Sequence, residues 1–433
     1  MTHVRQVGLV GGVGGGNTGN EVSLAVVHDQ LAAARPDLRF AVVTPMPDGA
    51  RARGVVHGDE PVLSFRADRT RGGARAVRLG RRVVAELRHV GSVLGWMGSL
   101  EAVVVCGTGV LDDLEEPPWG MPWSLFLWAA AARARRRPFV LLAVGAGPIG
   151  SRASALLFRA TVRLASEVTY RDADSMRTMA DLGAARPDAR VTCDLAFGRA
   201  VGSTAPAQPG PGMRVAVGIM DWRGWSGSGR GTEQYLDTFA EVVVRLLDRG
   251  CRVVLTVGQP VDVEPAREVR RQVLRQRPQA RLPLADVGSF DELVEVVQGV
   301  DLVVATRFHT VVAALAADRA IVSAGYAPKN RAVLERVGLD HADRPVDEID
   351  AAWILGEVDA VAEGRAPWRA DRQIIAGWAR LVRDEIDGLA IRIDRATSRQ
   401  RRVVARVTPT SRWRSRLRRP RAWWSRRGGS RSA

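Results

Sequence analysis

The sequence predicts an α/β fold: two Rossmann-like domains with parallel sheets, followed by a disordered basic C-terminal tail. Three observations carry this. Short Val-rich apolar runs alternate with helical patterns. The alternation breaks at a Gly/Ala/Pro-rich stretch and then restarts. The chain of 433 residues is also longer than one hydrophobic core usually holds, about 250–300 residues.

In the first half, residues 1–197, strands are expected at VRQVGLV, RFAVVT, AVVVCG, FVLLAVGAG, EVTYRD and RVTCDLAF. Each run is almost continuously apolar rather than alternating, which suits a parallel sheet covered on both faces. Helices are expected near 20–34, 75–95, 121–136, 153–165 and 173–183. Residues 198–213 lack apolar periodicity and read as a linker. The second domain, 214–390, repeats the pattern with strands RVAVGIM, RVVLTVG, DLVVATR and AIVSAGY and helices near 232–248, 263–276, 290–299 and 309–317. A further helix near 368–388 is expected to cross back and brace the first domain. Two such domains in one chain resemble the GT-B architecture, whose active site lies between them.

The net charge of +16 is uneven. Residues 396–433 hold thirteen arginines and no acid, so residues 1–395 keep only +3 of the total. A nearly neutral body argues against a nucleic-acid groove, and no specific nucleic-acid partner is expected. The tail, within 391–433, mixes Arg with Trp413, Trp423 and Trp424. That mixture suits an anionic membrane surface, or else a solvated tail that touches nucleic acid nonspecifically. Cys106, Cys193 and Cys251 are far apart and lack metal-ligand spacing, so reduced thiols and no metal are expected. No signal-peptide pattern opens the chain, and the apolar run at 123–132 is too short to span a membrane. The expected location is cytoplasmic, with peripheral contact at the inner face of the plasma membrane through residues 396–433.

Six strand-end motifs carry candidate chemistry. GLVGGVGGGNTGNE (8–21) reads either as an anion cradle leading to a helix N-terminus with unpaired N–H groups, or as a tight turn. CGTGVLDD (106–113) offers Asp112 and Asp113 to sugar hydroxyls or as a base, or as solvated loop acids. VGAGPIGS (144–151) shapes a crevice wall. YRDADSMRTMADLG (170–183) places Arg171 at a strand's carboxyl end, where an arginine fork can clamp an anion; Asp172 caps the next helix, and Asp194 ends the following strand. DLVVATRFHTVVAALA (301–316) delivers Arg307 and His309 to one strand-to-helix turn, a cation beside a proton carrier. SAGYAPKNRAVLERVGL (323–339) holds Tyr326 and Lys329, the only lysine of the chain.

In this order, the six segments resemble the polysaccharide pyruvyl transferase family. The matching residues are Gly16-Asn17-Thr18-Gly19-Asn20-Glu21, Gly107 to Asp113, Gly145 to Ile149, Arg171-Asp172 with Ser175, Asp194, Arg307-Phe308-His309, and Tyr326 with Lys329. Two positions depart from the pattern: Asn20 stands where Asp is usual, and Thr108 where a third Gly is common. The resemblance implies a GT-B-like fold, phosphoenolpyruvate as co-substrate with no cofactor, and a glycan or lipid-linked saccharide as acceptor. The product it implies is a cyclic pyruvate ketal on one sugar of a cell-surface polysaccharide. His309 would be the catalytic acid/base. Arg307, Arg171, Lys329, Asn17, Gly16 and Gly19 would hold the donor. Glu21, Asp112, Asp113, Asp172, Asp194 and Tyr326 would bind or support the acceptor. Two other functions share the expected fold: a GT-B glycosyltransferase using a nucleotide sugar, and a non-catalytic glycan-assembly subunit.

Overall fold

The computed structural model describes residues 5–67, 75–114, 116–199, 212–223, 231–285, 287–365 and 368–407. Most of the expected linker and residues 408–433 of the basic tail lie outside the described residues.

The first domain contains β1 (Arg5–Val10), α1 (Thr18–Ala34), β2 (Leu38–Thr44), α2 (Pro47–Ala52), β3 (Val62–Ser64), α3 (Arg75–Ser99), β4 (Leu100–Cys106), α4 (Met121–Ala134), β5 (Phe139–Val144), α5 (Arg152–Leu164), β6 (Glu167–Tyr170), α6 (Ala173–Met179) and β7 (Arg190–Val191). Its sheet runs β3-β2-β1-β4-β5-β6-β7, every pairing parallel. β4 and β5 are buried along their whole length, as their continuous apolar runs require.

The second domain contains β8 (Arg214–Gly218), α7 (Thr232–Asp248), β9 (Arg252–Thr256), α8 (Val263–Gln276), α9 (Phe290–Gln298), β10 (Leu302–Ala305), α10 (Phe308–Ala316), β11 (Ala320–Gly325), α11 (Pro328–Glu335), β12 (Asp343–Pro345) and α12 (Ala351–Ala362). Its parallel sheet runs β12-β11-β10-β8-β9. Leu284 adds an isolated parallel bridge to Leu255 outside β9. With that rudimentary edge, both sheets follow the doubly wound order.

The sequence pattern missed β3, β12, α2, α11 and α12, and the strand expected at RVTCDLAF shortens to Arg190–Val191 before a helical turn at Leu195–Arg199. β3 and β12 are each three residues long and each lies at a sheet edge, too short for periodicity to register. A larger difference concerns the C-terminus. The expected bracing helix is α13, Arg372–Val407, so the first residues assigned to the tail, from 391, continue a helix. α13 returns to the first domain: Asp394 pairs with Arg5 and Arg35, Glu385 with Arg190, and Trp378 packs edge-on against Phe197 at 4.6 Å between ring centroids. No helix among the described residues is long and apolar enough to cross a membrane.

Candidate active site

Each sheet reverses its winding between its first strand and the neighbour beyond, at β1/β4 and β8/β10. Loops leaving the carboxyl ends at such a point border a crevice, and here the two crevices meet. β10 is apolar and fully buried. It ends in extended backbone at Arg307, and α10 begins at Phe308. That geometry aims His309 across the cleft at α1. A Cβ added to Gly19 would lie 1.9 Å from His309 Nδ1, so only glycine lets the ring rest on the α1 backbone.

The same contact packs the second domain onto the Gly-rich turn. Asn17 caps α1, its Oδ1 accepting from the N–H groups of Gly19 and Asn20. The Thr18 N–H and hydroxyl both donate to the Gly258 carbonyl of the second domain. Glu21 Oε1 accepts from the N–H groups of Gly14 and Gly16 and faces Arg53. The first-turn N–H groups of α1, Thr18 to Glu21, therefore all have partners. Asn17, facing Gln259, Gly16, packed on Pro260, and Gly19, under His309, line the domain contact, while Glu21 braces the turn within its own domain. Asn20 Nδ2 donates to the Gly12 carbonyl, a bond an ionised Asp could not donate.

Arg307 and His309 also part company. The Arg307 fork turns away onto Asp262, Nε to Oδ2 at 3.0 Å with Nη2 on Oδ1. Asp262 is wholly buried and also accepts from the N–H groups of Asp221 and Gly258. Such a satisfied buried pair anchors the turn; the fork is not presented to the cleft.

The cationic group the cleft does hold surrounds Asp194. Asp194 is buried, with Oδ1 3.8 Å from His309 Nε2 and Oδ2 3.7 Å from Arg171 Nη1. Arg171 Nε donates to Asp172, which also caps α6 by accepting from the Ser175 N–H. A Cβ at Gly145 would meet the Arg171 guanidinium at 2.6 Å, so glycine there makes room for the fork. A bulge in β5 precedes it: Ala143 has φ 51° and the register with β6 shifts, which re-aims the strand end. Lys329 Nζ lies 5.4 Å from the Phe308 ring centroid and 4.6 Å from that of Tyr326. Arg171 sits 5.3 Å over the same Phe308 ring. Two cations from opposite domains thus approach one aromatic ring.

The electrostatics follow from this crowding. Burial first, and then the nearby Lys329, Arg171 and Arg307, push His309 down to about 4, against the opposing pull of Asp194. The imidazole is neutral at pH 7, and its buried Nε2 has no hydrogen-bond partner among the described residues. Burial raises Tyr326, but Lys329, Arg307 and Arg171 outweigh it and leave the phenol below its usual value. Asp112 is pushed up by burial, partly offset by the Leu114 N–H, Lys329 and Arg171. Asp113 faces elsewhere, accepting from the N–H groups of Gly150 and Ser151. Burial opposes but those bonds prevail, and its carboxyl titrates below normal. It ties two cleft loops together.

A family model of "Polysaccharide pyruvyl transferase" matches residues 17–327, well over half of the chain and spanning both domains. The chain belongs to the polysaccharide pyruvyl transferase family. Comparison with curated proteins finds no match. Among solved structures, this family member resembles UDP-N-acetylglucosamine 2-epimerase from Rickettsia bellii, at 13% identity over 90% of this chain and 95% of that one, TM-score 0.55. It also resembles the Neisseria meningitidis UDP-GlcNAc 2-epimerase bound to UDP-GlcNAc, at 9% identity over 91% and 100%, TM-score 0.55. At such identities the likeness shows the GT-B-like fold.

Three residues of this pyruvyl transferase family member escaped sequence reasoning. Phe308 matches the family between Arg307 and His309, but nothing in its sequence context shows that Arg171 and Lys329 gather on its ring. Asp262 lies in an ordinary helix-entry turn. Arg336 follows α11 and donates from Nη1 to the Arg171 and Thr192 carbonyls while stacking over Trp378 at 4.6 Å. The apolar type of Phe308 next to two polar residues carried a signal, but its cation partners, like the partners of the other two, are distant in sequence. As for metals, His28, Asp29 and His57 have ligand atoms within 4.8 Å of one another. The two imidazoles stack nearly parallel, 4.1 Å apart at 14°, so their in-plane lone pairs do not converge on one ion.

Proposed function

We propose that this protein transfers the pyruvyl group of phosphoenolpyruvate to two hydroxyls of one sugar in a cell-surface polysaccharide or its lipid-linked precursor, forming a ketal. The observation that carries the reading is a neutral, unpartnered imidazole set among Arg171, Lys329 and Asp194 at the domain interface. The donor is a small polyanion. Arg171 and Lys329 supply fixed charge to its carboxylate and phosphate, in a cleft where little water competes.

The chemistry balances as follows. His309 Nε2 takes the proton of the first sugar hydroxyl, whose oxygen attacks C2. The C2–C3 π pair takes up a proton at C3, and the methyl group forms. His309 relays that proton, and Asp194 steadies the imidazolium meanwhile. The C2–O bond to phosphate then breaks, leaving an oxocarbenium-like C2. The second hydroxyl attacks C2, and its proton leaves with the phosphate or through Asp112, whose raised affinity for protons suits a relay. One phosphate is released per ketal, and no cofactor is needed.

The test is incubation with phosphoenolpyruvate and candidate glycans, reading phosphate release and glycan mass gain together. Equal molar yields of both are expected. The epimerase-like fold makes UDP-N-acetylglucosamine the informative comparison. Thermal stabilisation by that nucleotide sugar and none by phosphoenolpyruvate would replace this reading with a nucleotide-sugar enzyme.

A further inference from the structure

From the exposed face of α3 we infer that the first domain docks on an anionic phospholipid bilayer and so presents the cleft to a lipid-linked acceptor. This deepens the proposed function and rests on it for the acceptor, but the docking itself is measured without any substrate.

Among the described side chains of α3, the large apolar ones at 79–87 are not covered by the domain. Leu79, Val83, Val84 and Leu87 are 65%, 52%, 46% and 67% exposed. Among the described side chains of the helix, full burial begins at His89 and continues through Val93 and Met97. At about 100° per residue, the four exposed side chains cover an arc of about 140°. Arg81 and Arg88 border one side of it and Arg82 the other; all three are exposed. The helix carries five arginines and one acid, Glu86, and Glu86 is engaged by Trp123 Nε1 at 3.1 Å. That bond brings the β4–α4 loop alongside. There Trp119 is 65% and Leu114 44% exposed, and Trp119 meets Trp123 edge-on. An apolar arc flanked by arginine with an aromatic side chain beside it is the pattern of a helix lying in a membrane interface.

Position and charge select the occupant. α3 runs directly into the first residue of β4, so its first half lies toward the sheet's carboxyl edge, the edge that bears the cleft. The loop with Leu114 and Trp119 is the one that carries Asp112. A second copy of the chain fits less well. A two-fold contact through this face would set the same arginines against each other, whereas anionic headgroups neutralise them.

Flotation of the full chain tests this with neutral phosphatidylcholine vesicles and with vesicles also containing phosphatidylglycerol. The wild type should float with the anionic vesicles. Leu79→Asp/Val83→Asp/Leu87→Asp should cut recovery about tenfold, and Arg81→Glu/Arg82→Glu should also reduce it. Circular dichroism confirms folding of both variants. Hydrogen exchange on the wild type reads the same point without substitution: anionic vesicles should protect residues 79–88 and 114–119. Unchanged recovery in the triple variant, with no protection of those segments, would overturn the inference and leave vesicle binding to residues 396–433. A wild-type dimer that the triple variant splits, with vesicle binding intact, would overturn it in favour of a subunit interface. Vesicle binding by a protein that releases no phosphate from phosphoenolpyruvate would leave the docking standing and remove the proposed chemistry.

Discussion

Two strand-to-helix turns, one rich in glycine and one bearing Arg307 and His309, face each other across the cleft and do opposite work. At the β1–α1 turn, glycines and a helix N-terminus suggest an anion site, yet the N–H groups of the helix's first turn already have partners. Asn17 caps the helix, Gly258 takes Thr18, and Glu21 gathers the Gly14 and Gly16 N–H groups. At the β10–α10 turn, Arg307 is consumed by Asp262, but His309 keeps a buried nitrogen unpaired. Glycine marks where backbones come close. It does not reveal whether the close partner is a ligand or the other domain.

The sharpest way to break this contrast is at His309. His309→Gln should lower kcat by roughly 10²–10⁴-fold, the usual worth of a positioned acid/base, whereas Asn17→Ala should act mainly on stability. A steady-state comparison of the two reads it, and equal activity losses would erase the distinction.

Next in size is a pH effect. The folded protein holds His309 near 4, below its ordinary value of about 6.5. Between those two pH values the unfolded chain binds a proton that the folded chain refuses, so stability falls as the pH drops through that window and is full above it. From pH 7 to 4 the wild type should lose on the order of 3 kcal/mol more than His309→Gln. Parallel denaturant titrations of both proteins measure the difference, and parallel pH dependences would place the imidazole in water.

Gly19→Ala comes third. A Cβ there would collide with the His309 ring, costing about 1–3 kcal/mol as overpacking does. The cleft should also open, which small-angle scattering would register as a larger radius of gyration. Smallest is Thr108→Gly. Thr108 sits at φ 67°, a region that favours glycine, so the substitution should stabilise the protein by about 1 kcal/mol. A raised thermal midpoint with unchanged kinetics would confirm that this departure from the family pattern is conformational rather than catalytic.

Much of the fold was legible because its signals are local. The buried runs of β4, β5 and β10 are continuous Val-rich segments. The helices between them carry their own caps, Asp172 for α6 and Ser289 for α9. The site was legible in part. Arg171, Lys329, Asp194 and His309 lie at strand and helix ends, and topology brings strand ends together. What stayed hidden was pairing between distant residues. Nothing near Arg307 in sequence announces Asp262, and nothing near Arg336 announces Trp378. Asp112 and Asp113 are neighbours, yet one loses water and the other gains two N–H donors; only the folded loops separate them.

The account stands on His309 sharing its cleft with the donor. Nitrogen-15 NMR of histidine-labelled protein, titrated in pH with and without phosphoenolpyruvate, measures that directly. The free protein should show one imidazole titrating near 4, and the bound polyanion should move that midpoint upward by favouring the imidazolium. A His309 that titrates at the ordinary value, or one indifferent to phosphoenolpyruvate, would contradict the account.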